Sequence, residues 1–437
     1  MAVTQSAIRN SNGITFTYIT DSPADWPSVA SSTYFYDKAD KLVHYKNSTG
    51  TILEMFSASG LTYFTEAQNT AAPNATVNVD SLTAVASTTD ADFAIIPKGA
   101  GAIIADIPDG TVAGGNKRGT GAVDLQMSRL INTEVASGNN SVISGGYRNK
   151  ATNTDASIGG GQDNTASGTQ SRVGGGLSNT ASSDFSTVGG GTNNTASGSR
   201  TTVAGGASCT ATAYAASTLG GFGNTSTFSY ASNLGGQSNT ASGEGSSVVG
   251  GASNVASGTY SLAGGTSSVA NSYGSVVLGV GGNANSVRNR NVFANSTTGA
   301  TPISGDAQKS TFIYRQRTTD ATLTTFTIEG TGASSANQIT LSNNSGYRFK
   351  GTIIAKQSGS TNVSAWDIDG LIVRGVNAAS ITLLISNVTL VQNTPAWGTP
   401  ILSTDTTRGA LKIQIQGASA TNIQWVANIE TTEVIYA

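Results

Sequence analysis

The chain has 437 residues, of which only 11% are charged, against roughly a quarter in ordinary globular domains, and it carries 54 Gly but 8 Pro. A net charge of −2 leaves no basic footprint for nucleic acid or an anionic membrane surface. His44 and Cys209 are single, which rules out an intrachain disulfide, His-based metal cages and most Ser–His or Cys–His nucleophile systems within one chain.

The opening "MAVTQSAIRNSNG" lacks the charged-then-apolar form of a secretory signal, and no apolar run is long enough to span a bilayer. The expectation is a soluble all-β chain with no metal, no cofactor, no nucleic-acid partner, no membrane insertion and no enzymatic activity.

In residues 1–60, the stretch "STYFYDKADKLVHYKNSTGTILEMF" sets aromatic and aliphatic runs between Asp-Lys-Ala-Asp and Asn-Ser-Thr-Gly, and reads as short antiparallel strands with turns. In residues 61–130, apolar pairs separated by Pro-Lys-Gly and Pro-Asp-Gly read as an intertwined β-shaft. From 131 to 287 a sentence such as "GGGTNNTASG" recurs. Its Gly-Gly steps begin at 145, 160, 175, 190, 205, 220, 235, 250 and 264, a fifteen-residue period whose last step is fourteen. Asn follows at 149, 164, 179, 194, 224, 239 and 254, with Cys209 and Ser268 in its place elsewhere. Ala comes two positions later at 151, 166, 181, 196, 211, 241, 256 and 270.

A fixed period of this length means a solenoid, with two short strands and two tight turns per coil. Gly-Gly supplies one corner. One aliphatic and one Ala per coil line the interior: Ile143, Ile158, Val173, Val188, Val203, Val248 and Leu262, with Leu219 and Leu234 taking the role in the two coils where the column shifts by one. The Asn column is assigned to turn backbone groups. Cys209 is read as a small buried hydrophobe. So thin a core predicts side-by-side association of several chains.

The period "SxVxGGxxNTASG" resembles the head repeat of YadA-like trimeric autotransporter adhesins, and the lead-in "GGNKRGTGAVDLQMSRLINTEVASGNNSVISGG" resembles bacteriophage tail fibre proteins. The resemblance covers roughly 114–287. It implies a left-handed parallel β-roll assembled as a homotrimer. The lack of a signal peptide and of a C-terminal membrane-anchor barrel favours a virion tail fibre over an outer-membrane adhesin. It also implies that residues 1–60 attach to virion baseplate or tail proteins.

Residues 288–307 have no period and read as a neck. From 308 to 437 the alternation lengthens ("GYRFKGTIIAKQSG", "AWDIDGLIVRG", "TNIQWVANIETTEVIYA"), predicting a β-sandwich or jelly-roll tip that contacts a host surface glycan or protein. Trp366 and Trp425 share phase with isoleucines and are assigned to its core. Trp397, in the loop "NTPAWGTP", is a candidate for stacking on a sugar ring, with a subunit seam as the alternative. Asp367 and Asp369 point opposite to Trp366, toward solvent or ligand; as a hydrolytic pair they are less expected than as a solvated edge.

Two other functions compete with the tail fibre. One is a cell-surface trimeric adhesin. The other is an ice-binding solenoid, suggested by the outward column Thr165, Thr180, Thr195, Thr210, Thr225 and Thr240, although Thr also simply suits an exposed strand. A purely structural virion protein is a third possibility.

Overall fold

The computed structural model describes residues 95–296, 305–394 and 397–435; before residue 95 it describes Thr49, the strands Ile8–Arg9 and Thr15–Phe16, and the short strands named below. The chain divides into two units, Met1–Ile96 and Pro97–Ala437. All regular structure among the described residues is β apart from one 3₁₀ turn, Ala378–Ser380.

In the first unit, Thr33–Asp37, Leu42–Lys46 and Ile52–Glu54 pair antiparallel in order. Tyr18–Thr20 joins Thr33–Asp37 in parallel, and Phe64–Asn69 pairs antiparallel with Val79–Ala84.

The second unit begins with a parallel β-solenoid of about 12 turns with 15-residue coils. Most coils hold two two-residue strands, and in the last coils the first strand lengthens, as in Ser247–Ala252. Ser157–Ile158 and Thr165–Ala166 are one such pair, and each stacks on its counterpart fifteen residues on. The second strands form a nine-stranded parallel sheet. The first-strand ladder begins at Ile103–Ile104, continues through Val123–Asp124 and ends at Asn291–Asn295. It therefore reaches into the ranges read as shaft and as neck; residues 297–304 of that neck lie outside the described ones.

The Gly-Gly corner needs its second glycine most. At Gly191 φ is +90°, and a Cβ there would stand 2.1 Å from the carbonyl oxygen of Gly206 in the next coil. Asn side chains complete that corner and lie inside the coil. The Asn179 amide donates to Gly175 O and, in the next coil, Gly191 O, each at 2.9 Å, while its oxygen accepts the Asn194 backbone N–H at 3.0 Å. Buried Asn is tolerable because each such group is paired.

The aliphatic column departs from the sequence expectation in three coils. Leu219 and Leu234 do not shift inward; they are about half exposed, and the core positions beside them are filled by Thr218 and Asn233. With Ser226 these form a buried polar layer: Thr218 Oγ1 lies 3.1 Å from Ser226 Oγ, and Asn233 Nδ2 donates to Thr225 O at 2.7 Å. Ladder register decides the matter, because Ser217 and Thr218 pair with Thr202 and Val203, and in a strand only one of two neighbours can face inward. Likewise Ala263, not Leu262, pairs with Val248 and is buried. Cys209 is buried, as expected.

Both ends of the solenoid carry buried charge. At the start, Arg118 Nε meets Asp124 Oδ2 at 2.7 Å, and Gln126 takes the place of a preceding Asn by accepting the Asn149 N–H at 2.6 Å. At the far end, the Arg290 guanidinium pairs with Glu433 of the last strand and donates to Ser310 Oγ at 2.9 Å. Burial is the largest single influence and works against the Arg290 charge, but Glu433 and Tyr347 together more than offset it and raise the pKa.

Asn291–Asn295 pairs antiparallel with Ala307–Thr318, leading from the solenoid into a long sheet. Its order is Ala307–Thr318, Ile423–Ile435, Ser345–Gln357, Val363–Arg374 and Thr382–Thr394, all antiparallel. A four-stranded antiparallel sheet contains Leu323–Phe326, Ile339–Thr340, Gly398–Asp405 and Ala410–Gln416. Their inward side chains join in one core, with Phe312, Tyr314, Ile353, Trp366, Ile368 and Ile429 from the long sheet and Phe326, Leu411, Ile413 and Ile415 from the smaller.

Candidate functional site

Alternation along the long sheet buries Ile423, Trp425, Ala427 and Ile429 and turns Asn428 outward. Trp366 and Trp425 stack with ring centroids 5.6 Å apart and planes 16° from parallel, and Trp425 Nε1 donates to Thr318 Oγ1 at 3.0 Å. Both sit in the core, as their phase predicts.

Trp397 belongs to that core as well. It is 6% exposed and lies 6.3 Å from Trp425, so its ring is not presented for stacking on a sugar at the surface. The prolines on either side suggest an open loop, yet the strand Gly398–Asp405 begins at the very next residue and draws the indole under the sheet.

Asp367 and Asp369 do face outward. They line a concavity of about 450 Å³ on the outer face of the long sheet, together with Lys350, Thr352, Asn428 and Glu430. Antiparallel register assembles it: Thr352 stands opposite both Asp367 and Asn428, and Lys350 opposite both Asp369 and Glu430. Thr352 Oγ1 donates to Asp367 Oδ1 at 2.8 Å. The Arg348 guanidinium pairs with Asp369, and Glu430 is shared by Lys309 at 3.1 Å and Lys350 at 4.0 Å. The Arg348 hydrogen bond, more than any other influence, holds the Asp369 carboxyl below its ordinary pKa, and the same bond raises that of Arg348.

The cleft is thus a lattice of fixed acceptors and ammonium donors at the spacing of cross-strand neighbours, about 5 Å. Such a surface can hydrogen-bond a polyhydroxyl ligand. Arg348, Lys350 and Thr352 were not singled out in the sequence, although they share one phase of "GYRFKGTIIAK", opposite to Tyr347, Phe349 and Ile353. Which strand lies beside them depends on pairing, which local pattern does not carry. Among the described residues, no group of three or more His, Cys, Asp or Glu could hold a metal ion.

No protein-family model and no curated protein sequence matches the chain. Solved structures similar to it include the tailspike gp49 of Acinetobacter baumannii bacteriophage Fri1, a capsular polysaccharide depolymerase, at 10% identity over 85% of this chain and 75% of that one, with a TM-score of 0.21. The tailspike of Acinetobacter phage vB_ApiP_P1 is similar at 9% identity over 96% of this chain and 99% of that one, with a TM-score of 0.20.

Proposed function

We propose that the chain is a bacteriophage tail fibre protein that adheres to host-surface polysaccharide through its C-terminal sheets. In this reading it works as a homotrimer, with the N-terminal unit attached to the virion and the solenoid, of the YadA-like head type, serving as a spacer. The single observation that carries it is the outward cleft of Asp367, Asp369, Thr352 and Lys350, built on the sheets that follow a solenoid of uniform coils. Sugar recognition suits such a cleft, since hydroxyl groups can meet carboxylate acceptors and ammonium donors on a rigid sheet.

The pairing with Arg348 takes Asp369 out of the role of proton donor and suits it to accept hydrogen bonds from a ligand. A glycosidase acid keeps its proton at working pH through a raised pKa, whereas Arg348 pushes this carboxyl the other way. Trimer formation is supported by exposed Leu219, Leu234 and Val249 beside the Gly-Gly corner, apolar surface that sister copies would cover. Three sites on one assembly would turn weak single contacts into firm adhesion.

The test is binding of the full chain to bacterial surface polysaccharides immobilised on a sensor. Wild type should bind at least one host polysaccharide, and Asp367→Asn with Thr352→Val should weaken that binding tenfold or more. Binding that is unchanged by these substitutions, or cleavage of the polymer, would refute the reading.

A further inference from the structure

The edge of the solenoid opposite the Gly-Gly corner carries a second feature. Every coil turns there through a residue of positive φ, such as Phe185 (+58°), Tyr230 (+60°) and Tyr260 (+55°). In the coils before Phe185 this turn is polar, with Asn140, Asp155 and Gln170. From Phe185 onward it becomes aromatic and cationic, in two runs of touching side chains, Phe185 to Tyr230 and Tyr260 to Arg288, with Gly245 between them. Arg200 lies between two rings, 5.7 Å from the centroid of Phe185 and 5.8 Å from that of Tyr214. Tyr214 then meets Tyr230 edge to face at 5.7 Å.

Gly245 follows, and the ring of Tyr260 leans over it: a Cβ at 245 would stand 2.7 Å from that ring. Tyr260 meets Tyr273 edge to face at 5.8 Å, and Arg288 closes the series 5.9 Å above Tyr273. Arg288 is itself paired at 3.0 Å with Glu329, so the series ends where the C-terminal sheets begin.

From Phe185 to Arg288 the turn column advances seven coil steps of ~4.8 Å, a track roughly 34 Å long. The tyrosines along it are 41–59% exposed. In an edge-to-face pair, the ring that offers its edge keeps both faces turned away from its neighbour. Each Tyr pair therefore keeps ring surface clear of its own partner, most exposed at Tyr230 and Tyr260, while Arg200 and Arg288 stand over the rings of Tyr214 and Tyr273. Asp184 and Glu244 lie on the same edge of the solenoid as Arg200 and Arg288, in other coils, so charges of both signs are present and no field selects a polyanion.

The geometry points to a binding track for an extended neutral polysaccharide: apolar sugar faces stack on the free rings, and sugar hydroxyls meet the tyrosine and arginine donors. A sister copy fits the opposite, aliphatic edge better. This track shares no residue with the Asp367 cleft, and it stands or falls independently of it.

The experiment is native gel electrophoresis of the full chain through gels containing barley β-glucan, dextran or galactomannan, with hyaluronan as the polyanionic control. Wild type should be retarded by at least one neutral polymer. Tyr230→Ala with Tyr260→Ala should lose that retardation at least fivefold, while Asp367→Asn should retain it. Should the double variant fold poorly, hydroxyl-radical footprinting of wild type replaces it, and the polymer should shield Tyr214, Tyr230, Tyr260 and Tyr273. Retardation by hyaluronan alone, none by any neutral polymer, or a fall in oligomeric mass on substituting the tyrosines would overturn the inference.

Discussion

A single backbone carbonyl decides what each Gly-Gly corner tolerates. Gly191 combines φ of +90° with a carbonyl 2.1 Å from its would-be Cβ, whereas Gly205 has nothing within 4 Å and no positive φ. Gly191→Ala should therefore cost about 2 kcal/mol or more, and Gly205→Ala less than ~0.5 kcal/mol. Urea unfolding midpoints compare the two directly. In the cleft, Asp369 has a folded pKa depressed below 3.8 by Arg348, so the pair's contribution is present above pH 3.8 and is lost as pH falls through the depressed value. Carboxyl carbon shifts followed by NMR should place its midpoint below 3.8 in wild type, and Arg348→Gln should bring it back toward 3.8.

At the scale of the coil, the Asn ladder and the aliphatic column tell different stories about legibility. The fifteen-residue period, the strand positions and the Asn role are all written in the sequence, because Gly-Gly and Asn-Thr-Ala recur with almost no variation. The inward direction in the coils of Thr218 and Asn233 was not, since apolar Leu219 and Leu234 stand next door and only ladder register separates the choices. The polar layer divides the solenoid core into two apolar clusters. Replacing Thr218, Ser226 and Asn233 together by Val, Ala and Val should raise the melting temperature, as apolar replacement of buried polar groups often does. Cys209 breaks the Asn ladder: its backbone N–H is satisfied by Asn194 at 2.9 Å, but its thiol makes only long contacts of 3.5–3.7 Å to carbonyls. Cys209→Asn should restore the amide bridge and stabilise by about 1 kcal/mol, measured by the same unfolding curves. The tyrosines of the opposite turn were not legible as a column, because Tyr214 and Tyr273 stand one residue before the positive-φ position that Tyr230 and Tyr260 occupy.

For the whole molecule, composition alone points to an all-β chain, and the change from a fifteen-residue period to long alternation marks where the solenoid yields to broad sheets. The candidate site was legible only in part. Asp367 and Asp369 can be picked out as outward, but their neighbours Lys350, Thr352 and Glu430 come from strands that only the fold brings beside them. Trp397 was misread because a proline-flanked loop looks open in sequence while its indole fills the core. The adhesion account depends on several copies standing side by side, each sheltering the aliphatic edge of another. Sedimentation equilibrium of the full chain measures this most directly: the account predicts three times the chain mass of 44.0 kDa, and a stable, fully folded species at the mass of one chain would contradict it.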